Sequence, residues 1–231
     1  MKTNKSKIIN SINSTISQTI NNVEYLGEPT KKHLAIMNRD ISHLEIDWEN
    51  LLKKPTPNDS RATKKELRHV SRTTHNRDDK HTKLVYLVDK EPLDLFLPYL
   101  KQHGLKFPHK QFKEAHDKIV DPISLLLKWK HKRPRPAQLA DKFNIDINVI
   151  NTTSHHTPAY PSGHAAYASL AANMLSDLYP EHYSKFSELA SLVGHARVLQ
   201  GVHYPSDNNA GKILATAIWQ DIKHNIFTDL A

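Results

Sequence analysis

Pro161-Ser-Gly-His-Ala-Ala-Tyr-Ala-Ser-Leu-Ala-Ala-Asn-Met-Leu-Ser-Asp-Leu178 is a helix whose start is marked by its own residues. Ser162 is a good N-cap, so a long helix is expected from there to about Leu178. First-turn amides with a glycine nearby make an anion-binding site, and a histidine in that turn can give a proton to the anion held there. Taken alone, the stretch reads more readily as a capped helix with an exposed histidine.

Further helices are expected on both sides. Downstream, one spans about 181–199. Another starts near Ser206 or Asp207 and turns Ile213, Leu214, Ala217, Ile218 and Ile222 inward. Upstream, helices are expected over 109–131 and 136–143. In the N-terminal half, Ile9, Ile12, Ile16 and Ile20 recur every three or four residues, giving a helix over 5–22 whose stripe should pack on the core. Leu34, Met37, Ile41, Leu44, Trp48 and Leu51 read as one helix with a single apolar seam, ended by Lys53-Lys-Pro-Thr-Pro57. Residues 56–83 are polar and basic and read as a surface excursion with a short helix after Ser60. Beyond Leu84, Pro92 opens a helix that Pro98 kinks or splits and Gly104 stops. No strand-like alternation or internal repeat is visible, and six glycines in 231 residues argue against a turn-dense β domain. The class expected is all-α.

Composition narrows the function. The chain is 38% hydrophobic, enough for a buried core at this length, with a net charge of +8 when its 16 histidines are neutral. There is no cysteine, which excludes disulfides, thiolate metal sites and cysteine nucleophiles. No apolar run approaches the roughly 18 residues that span a bilayer. The first twenty residues carry no apolar core of a secretory signal, so a cytoplasmic location is expected, or a periplasmic or secreted one for a chain already trimmed. The basic balance fits nucleic acid, an acidic membrane surface or an anionic small substrate.

Two further stretches carry chemistry. Lys128-Trp-Lys-His-Lys-Arg-Pro-Arg135-Pro136 is a rigid positive corner that on its own resembles a nucleic-acid patch or localisation signal. Arg197-Val-Leu-Gln-Gly-Val-His203-Tyr-Pro-Ser-Asp207 combines a guanidinium fork for an oxyanion with a histidine four residues before a carboxylate. That carboxylate can hold one imidazole nitrogen and free the other as a nucleophile or base. The competing reading is a metal site of His203, Asp207 and another histidine, with His155-His156 as a loose candidate. Together the three stretches supply cations, a helix N-terminus, a proton donor and a backed histidine, the parts for phosphoryl transfer through phosphohistidine without a metal.

At these positions the sequence resembles a known superfamily. Lys128-x6-Arg135-Pro136, Pro161-Ser162-Gly163-His164 and Arg197-x5-His203-x3-Asp207 reproduce the tripartite signature of the type 2 phosphatidic acid phosphatases (PAP2), class A acid phosphatases and vanadium haloperoxidases. The resemblance implies a single-domain helical bundle with a PAP2-like core at 106–231; residues 1–105 carry no motif of the family and are expected as a helical extension packed on it. It implies His203 as nucleophile, Asp207 as its orienting partner and His164 as proton donor and later base. Lys128, Arg135 and Arg197 would clamp the phosphoryl oxygens, with Ser162 and Gly163 adding a hydroxyl and a backbone donor. Lys130, Lys132 and Arg133 fit no motif position and should mostly face solvent or attract a polyanion. Ala196 stands where the family usually has serine, a change that would remove one hydroxyl contact to phosphate. The function implied is a soluble, metal-independent phosphatase acting on phosphomonoesters or diphosphates. No cofactor is implied, and vanadate is expected as an inhibitor. One alternative is a haloperoxidase with vanadate as cofactor at the same site. Another is a basic nucleic-acid-binding protein using 128–135 and 61–83. The partner expected is a small phosphorylated substrate, with no obligate nucleic acid. Peripheral contact with a membrane through the 5–22 helix stays as a weaker option.

Overall fold

The computed structural model describes residues 2–227, which form α-helices joined by turns and short 3-10 segments, with no strand among them. At the centre lies α10 (Gly163–Leu178), flanked by α11 (Tyr183–Leu199) and α12 (Pro205–Phe227). No β-branched residue interrupts α10, and Ala165, Ala166, Ala168, Ala171 and Ala172 are all buried, so its neighbours approach closely. Gly211 of α12 marks the tightest point. A Cβ there would stand 2.4 Å from the Ser162 carbonyl oxygen and 3.0 Å from the Ala166 nitrogen. Leu170, Met174, Leu175 and Trp219 are fully buried, each aliphatic one stabilising the fold by roughly 1.5–3 kcal/mol. On α12, Leu214 and Ile218 point inward as expected, whereas Ile213 faces out.

Upstream, α7 (His109–Ala115) runs through a π-helical turn at 116–120 into α8 (Asp121–His131). The expected 109–131 helix is therefore continuous but widened by one turn just before Pro122, whose ring and missing N–H disturb the ladder there. Lys132 closes α8 in the left-handed conformation (φ 44°). The short α9 (Pro136–Ala140) follows.

The N-terminal half departs from the sequence reading in three places. The single helix expected over 34–51 is two, α2 (Lys31–Met37) and α3 (Trp48–Leu51). Between them the Asp40 carboxylate accepts the Ser42 backbone N–H at 2.9 Å and its hydroxyl at 2.7 Å, a local turn that competes with helix. The polar stretch 56–83 is no excursion. It holds α4 (Arg61–His75) and the start of α5 (Asp79–Lys90), and α4 buries Thr63, Leu67, Val70 and Thr74. Half of that stripe is threonine, which a hydrophobic count passes over. In α1 (Lys2–Asn21) the isoleucine stripe does not pack as expected: Ile9, Ile12 and Ile16 are 46%, 52% and 51% exposed. Among its described residues the helix is anchored toward its end, where Ser17 donates to Asp59 and Ile20 joins an apolar cluster with Leu67, Leu139 and Tyr204. Asn58 there donates to the Ile20 and Val23 carbonyls. After α5, a 3-10 turn at Pro92–Leu95 leads to α6 (Leu97–Gln102), so the chain splits before Pro98 and stops at Gly104. The main apolar core runs from Leu52, Val88, Phe96 and Leu100 to Ile123, Leu170 and Trp219, so both halves of the chain share it. No helix among the described residues is long and apolar enough to cross a membrane.

Candidate active site

The three chemically marked stretches converge on one cavity of about 410 Å³. Lys128, Arg135, Gly163, His164 and His203 line it, while Ser162, Arg197 and Asp207 stand buried behind. Each is positioned by a helix end. Lys128 lies in the last turn of α8, Arg135 precedes α9, Arg197 lies in the last turn of α11, and Asp207 in the first turn of α12. Ser162 caps α10, its hydroxyl accepting the Ala165 N–H at 3.4 Å. The positive end of the sixteen-residue α10 therefore opens into the cavity. A Cβ on Gly163 would meet nothing closer than Lys128 Cε at 4.0 Å, so the glycine leaves its share of the cavity free for an anion.

His203 is held at both nitrogens. Its Nδ1–H donates to Asp207 Oδ2 at 3.0 Å, and its Nε2 accepts from Arg135 Nη1 at 2.9 Å. The carboxylate thus fixes the tautomer whose Nε2 lone pair lies toward the cavity, where Arg135 occupies it. Burial first, then the cations Arg135, Lys128 and Arg197, pushes the His203 imidazole well below its ordinary range, so it is neutral and able to attack at neutral pH. His164 is lowered for the same reasons, burial and then Arg197. Burial also depresses Lys128, helped by Arg135 and Arg197. Its ammonium donates to the Pro158 carbonyl at 2.7 Å and has no carboxylate partner. Arg135 comes down to about 10 through burial and Arg197, and so keeps its charge. Four positive or proton-binding groups therefore crowd one pocket, and an oxyanion relieves all of them.

Arg197 sits differently from the clamp expected. Its Nη1 donates to Asp89 Oδ1 at 2.7 Å and its Nη2 to Ser154 Oγ at 2.9 Å, while its buried Nε has no partner. Arg133 is the exception among the three extra cations, most of which were expected to face solvent. It is 3% exposed and donates to Asp207 Oδ1 at 2.5 Å and Glu66 Oε2 at 3.1 Å. Lys130 and Lys132 do reach solvent, within 3.8 Å of Glu49 and Glu24. Segment 128–135 thus divides, with Lys128, Arg133 and Arg135 buried as an internal charge array and Lys130 and Lys132 left at the surface. Ala196 is fully buried in the main core and does not line the cavity. The sequence reading missed Asp89, Glu66, Ser154 and Thr157, the last accepting from Arg135 Nε at 2.8 Å through its carbonyl. None of the four belongs to a motif. His155 and His156 stack at 5.0 Å between ring centroids, and no cluster of three or more His, Cys, Asp or Glu placed to hold a metal ion occurs among the described residues.

The outer part of the cavity is built by the N-terminal half. Lys32, His33 and Ile36 of α2, and Asp89, Lys90 and Glu91 at the end of α5, line it opposite Asp121, Ser124 and Leu125 of α8. The last three share one face with Lys128 at helical spacing.

Residues 119–228 match the model of the PAP2 superfamily, as the motifs implied. Among curated proteins, the non-specific acid phosphatase of Salmonella typhimurium is 41% identical over 54 residues, 23% of this chain and 22% of that protein. The non-specific acid phosphatase of Providencia stuartii is 38% identical over 58 residues, 25% and 23% of the respective lengths. The chain thus spans less than a quarter of the length of these relatives. Among solved structures, a bacterial vanadium-dependent iodoperoxidase superposes with a TM-score of 0.56 at 14% identity, covering 74% of this chain and 50% of the other. A bacterial vanadium-dependent chloroperoxidase superposes at 0.57 and 12% identity, covering 79% and 52%. At such identities these two likenesses concern the fold.

Proposed function

We propose that this chain, whose residues 119–228 carry the PAP2 superfamily pattern, is a metal-independent phosphatase that hydrolyses phosphomonoesters or diphosphates through a phosphohistidine. The observation that carries the reading is the placement of His203, its Nδ1 on Asp207 and its Nε2 turned to a cavity lined by cations. In the first step the Nε2 lone pair forms a bond to phosphorus while the bond to the leaving oxygen breaks. Lys128, Arg135, the α10 amides and the unpartnered Arg197 Nε neutralise the equatorial oxygens. Arg135 must release Nε2 as the phosphoryl group arrives. His164 gives the leaving oxygen its proton. The substrate's negative charge raises the His164 basicity that burial suppresses, so binding itself charges the acid. In the second step His164 takes a proton from water, the water oxygen bonds to phosphorus, and the N–P bond breaks to release phosphate. Asp207 balances the positive imidazole in between.

The outer cavity, with Lys32, His33, Tyr167 and Leu125, is the space for the leaving group, and residues 1–105 serve as an extension that shapes it on the catalytic core 106–231. The haloperoxidase alternative has no observation of its own, because the likeness to the peroxidases concerns the fold. The test is hydrolysis of p-nitrophenyl phosphate. Wild type should be active in EDTA and inhibited by vanadate, and His203→Ala should lose about 10⁴-fold or more in kcat. Unchanged hydrolysis in His203→Ala, by a protein active to begin with, would place the reaction elsewhere.

A further inference from the structure

Asp207 is approached from behind by a charge chain that none of the three motifs contains. Its Oδ2 accepts from His203 Nδ1 and, at 2.9 Å, from the Tyr204 backbone N–H, while its Oδ1 accepts from Arg133 Nη1 at 2.5 Å. The same Nη1 donates to Ser206 Oγ at 2.8 Å, and Nη2 reaches Glu66 Oε2 at 3.1 Å. Glu66 in turn accepts the Ser206 backbone N–H at 2.7 Å and its hydroxyl at 2.8 Å, just before Asp207 in the first turn of α12. The Arg133 guanidinium also lies 3.9 Å from the centroid of the Tyr204 ring. Every member is held by at least two contacts, and the side chains of Arg133 and Asp207 are 2% and 0% exposed.

Building on the phosphatase reading, we propose that Arg133 and Glu66 are positioning residues of the reaction: Arg133 keeps Asp207 ionised and aimed at His203, and Glu66 of α4 sets how strongly Arg133 does so. Neither lines the cavity, so neither touches substrate. A carboxylate without solvent exposure beside a neutral imidazole tends to take up a proton, and burial does push Asp207 upward, with Arg133 the leading opposing influence. The groups facing Asp207 are His203 and Tyr204 just before α12, Lys128 in the last turn of α8, Arg133 and Arg135 beyond it, and Tyr160 before α10. Arg133 is the one among them in direct ion-pair contact with the oxygen that His203 does not use. A lone cation there would draw the carboxylate's charge away from the imidazole. Glu66 divides that cation between two carboxylates, leaving Asp207 ionised yet free to support the charge that develops on His203.

The chain gives opposite signs for its two ends. Removing the Arg133 cation raises the Asp207 proton affinity, so the acid limb of kcat moves to higher pH by about one unit or more. Removing the Glu66 charge leaves Arg133 undivided, so the limb moves to lower pH, by roughly a few tenths of a unit. Arg133→Met should lower kcat roughly 10- to 100-fold with KM within about twofold, the size typical of an outer partner of a reacting group. Glu66→Gln should lower it less, and adding it to Arg133→Met should shift nothing further. Arg133→Lys keeps the charge without the fork and should restore the limb while recovering kcat only in part. In histidine ¹⁵N spectra, which need no substrate, the His203 Nδ1–H signal should lose its carboxylate character at higher pH in Arg133→Met than in wild type. If wild type fails to hydrolyse p-nitrophenyl phosphate, the phosphatase reading falls, and the spectra still decide the relay. If Arg133→Met does not fold, the Glu66→Gln sign decides it. The proposal is overturned if the limb and the Nδ1–H signal stay with wild type in the folded variants, or if both substitutions move the limb the same way.

Discussion

The two halves of the chain contribute different parts of one site. The cations nearest His203, the N-terminus of α10, and His164 and His203 themselves come from residues 128–207, whereas Asp89 behind Arg197 and Glu66 behind Arg133 come from α5 and α4, and Lys32 and Lys90 reach only the outer cavity. In the reaction proposed, the groups that would meet phosphate sit at fixed helix ends because an in-line displacement demands particular side chains in particular places. Their counterions face a looser demand, since a carboxylate arriving from any direction suffices. The C-terminal half therefore carries a readable signature, and the N-terminal half carries its electrostatic complement without one.

Asp89→Ala strikes that comparison hardest. It leaves the 1% exposed Arg197 side chain without a carboxylate, and breaking a buried pair from one side costs about 3–5 kcal/mol at full burial. Asp89 is 10% exposed, so the lower end applies, a fall in thermal midpoint of roughly 6–12 °C for a chain of this size. Phosphate or vanadate should restore more stability to the variant than to wild type, because the anion takes the vacated role. Equal stabilisation of both by vanadate in a melting assay would break the idea that Asp89 stands in for substrate charge. The same pair predicts acid lability. Burial works to raise the Asp89 carboxyl, but hydrogen bonds from Ser154, Arg197 and Thr152 outweigh it and hold the group at about 2. A depressed carboxylate stabilises above its unfolded value near 3.8 and loses that contribution as pH falls toward 2. Wild type should therefore lose on the order of 1–2 kcal/mol across that window in urea titrations, after solvent screening, and Asp89→Ala should lose less.

A smaller effect tests the C-terminal half on its own terms. Gly211→Ala places a methyl 2.4 Å from the Ser162 carbonyl oxygen, a backbone atom that cannot swing aside. Overpacking of this kind costs about 1–3 kcal/mol, and relief requires α12 to back away from the start of α10, taking Asp207 from Ser162. The Ser162 N–H donates to the Asp207 carbonyl at 3.0 Å across this contact. Both the melting temperature and kcat should fall, and a drop in stability with kcat intact would separate the contact from the site. This glycine also marks where sequence reading ends. Helices α10, α11 and α12 and the gathering of the motif stretches around one cavity were legible because caps, periodicity and residue chemistry are local. The requirement for Gly211 arises between helices nearly fifty residues apart and leaves no local sign. The break between α2 and α3 was hidden for a different reason. Leu34 to Leu51 keep helical spacing through a turn that Asp40 imposes, and periodicity records spacing alone. Arg133 was misread because a run of cations looks solvated until a fold supplies Glu66 and Asp207 from elsewhere.

Ala196→Ser should have the smallest effect, and it separates a motif position from a working contact. The serine usual in the family suggests a hydroxyl for the phosphoryl group, which would make Ala196 a defect and its reversal a gain in affinity. The residue beside it, Arg197, keeps its two Nη groups on Asp89 and Ser154, and Ala196 itself lies among the apolar side chains of the main core with no exposed surface. A hydroxyl there meets core before it meets substrate. On α11 it would bond back to the carbonyl one turn earlier, as Ser191 does to Ser187 at 2.8 Å, which satisfies the proton but adds nothing to the cavity. KM for p-nitrophenyl phosphate should stay within about twofold and the protein should lose about 1 kcal/mol or less. A fall in KM of tenfold would mean that the end of α11 turns toward the anion when it binds. It would also take Arg197 off Asp89, and the charge now shared between the two halves would pass to the substrate.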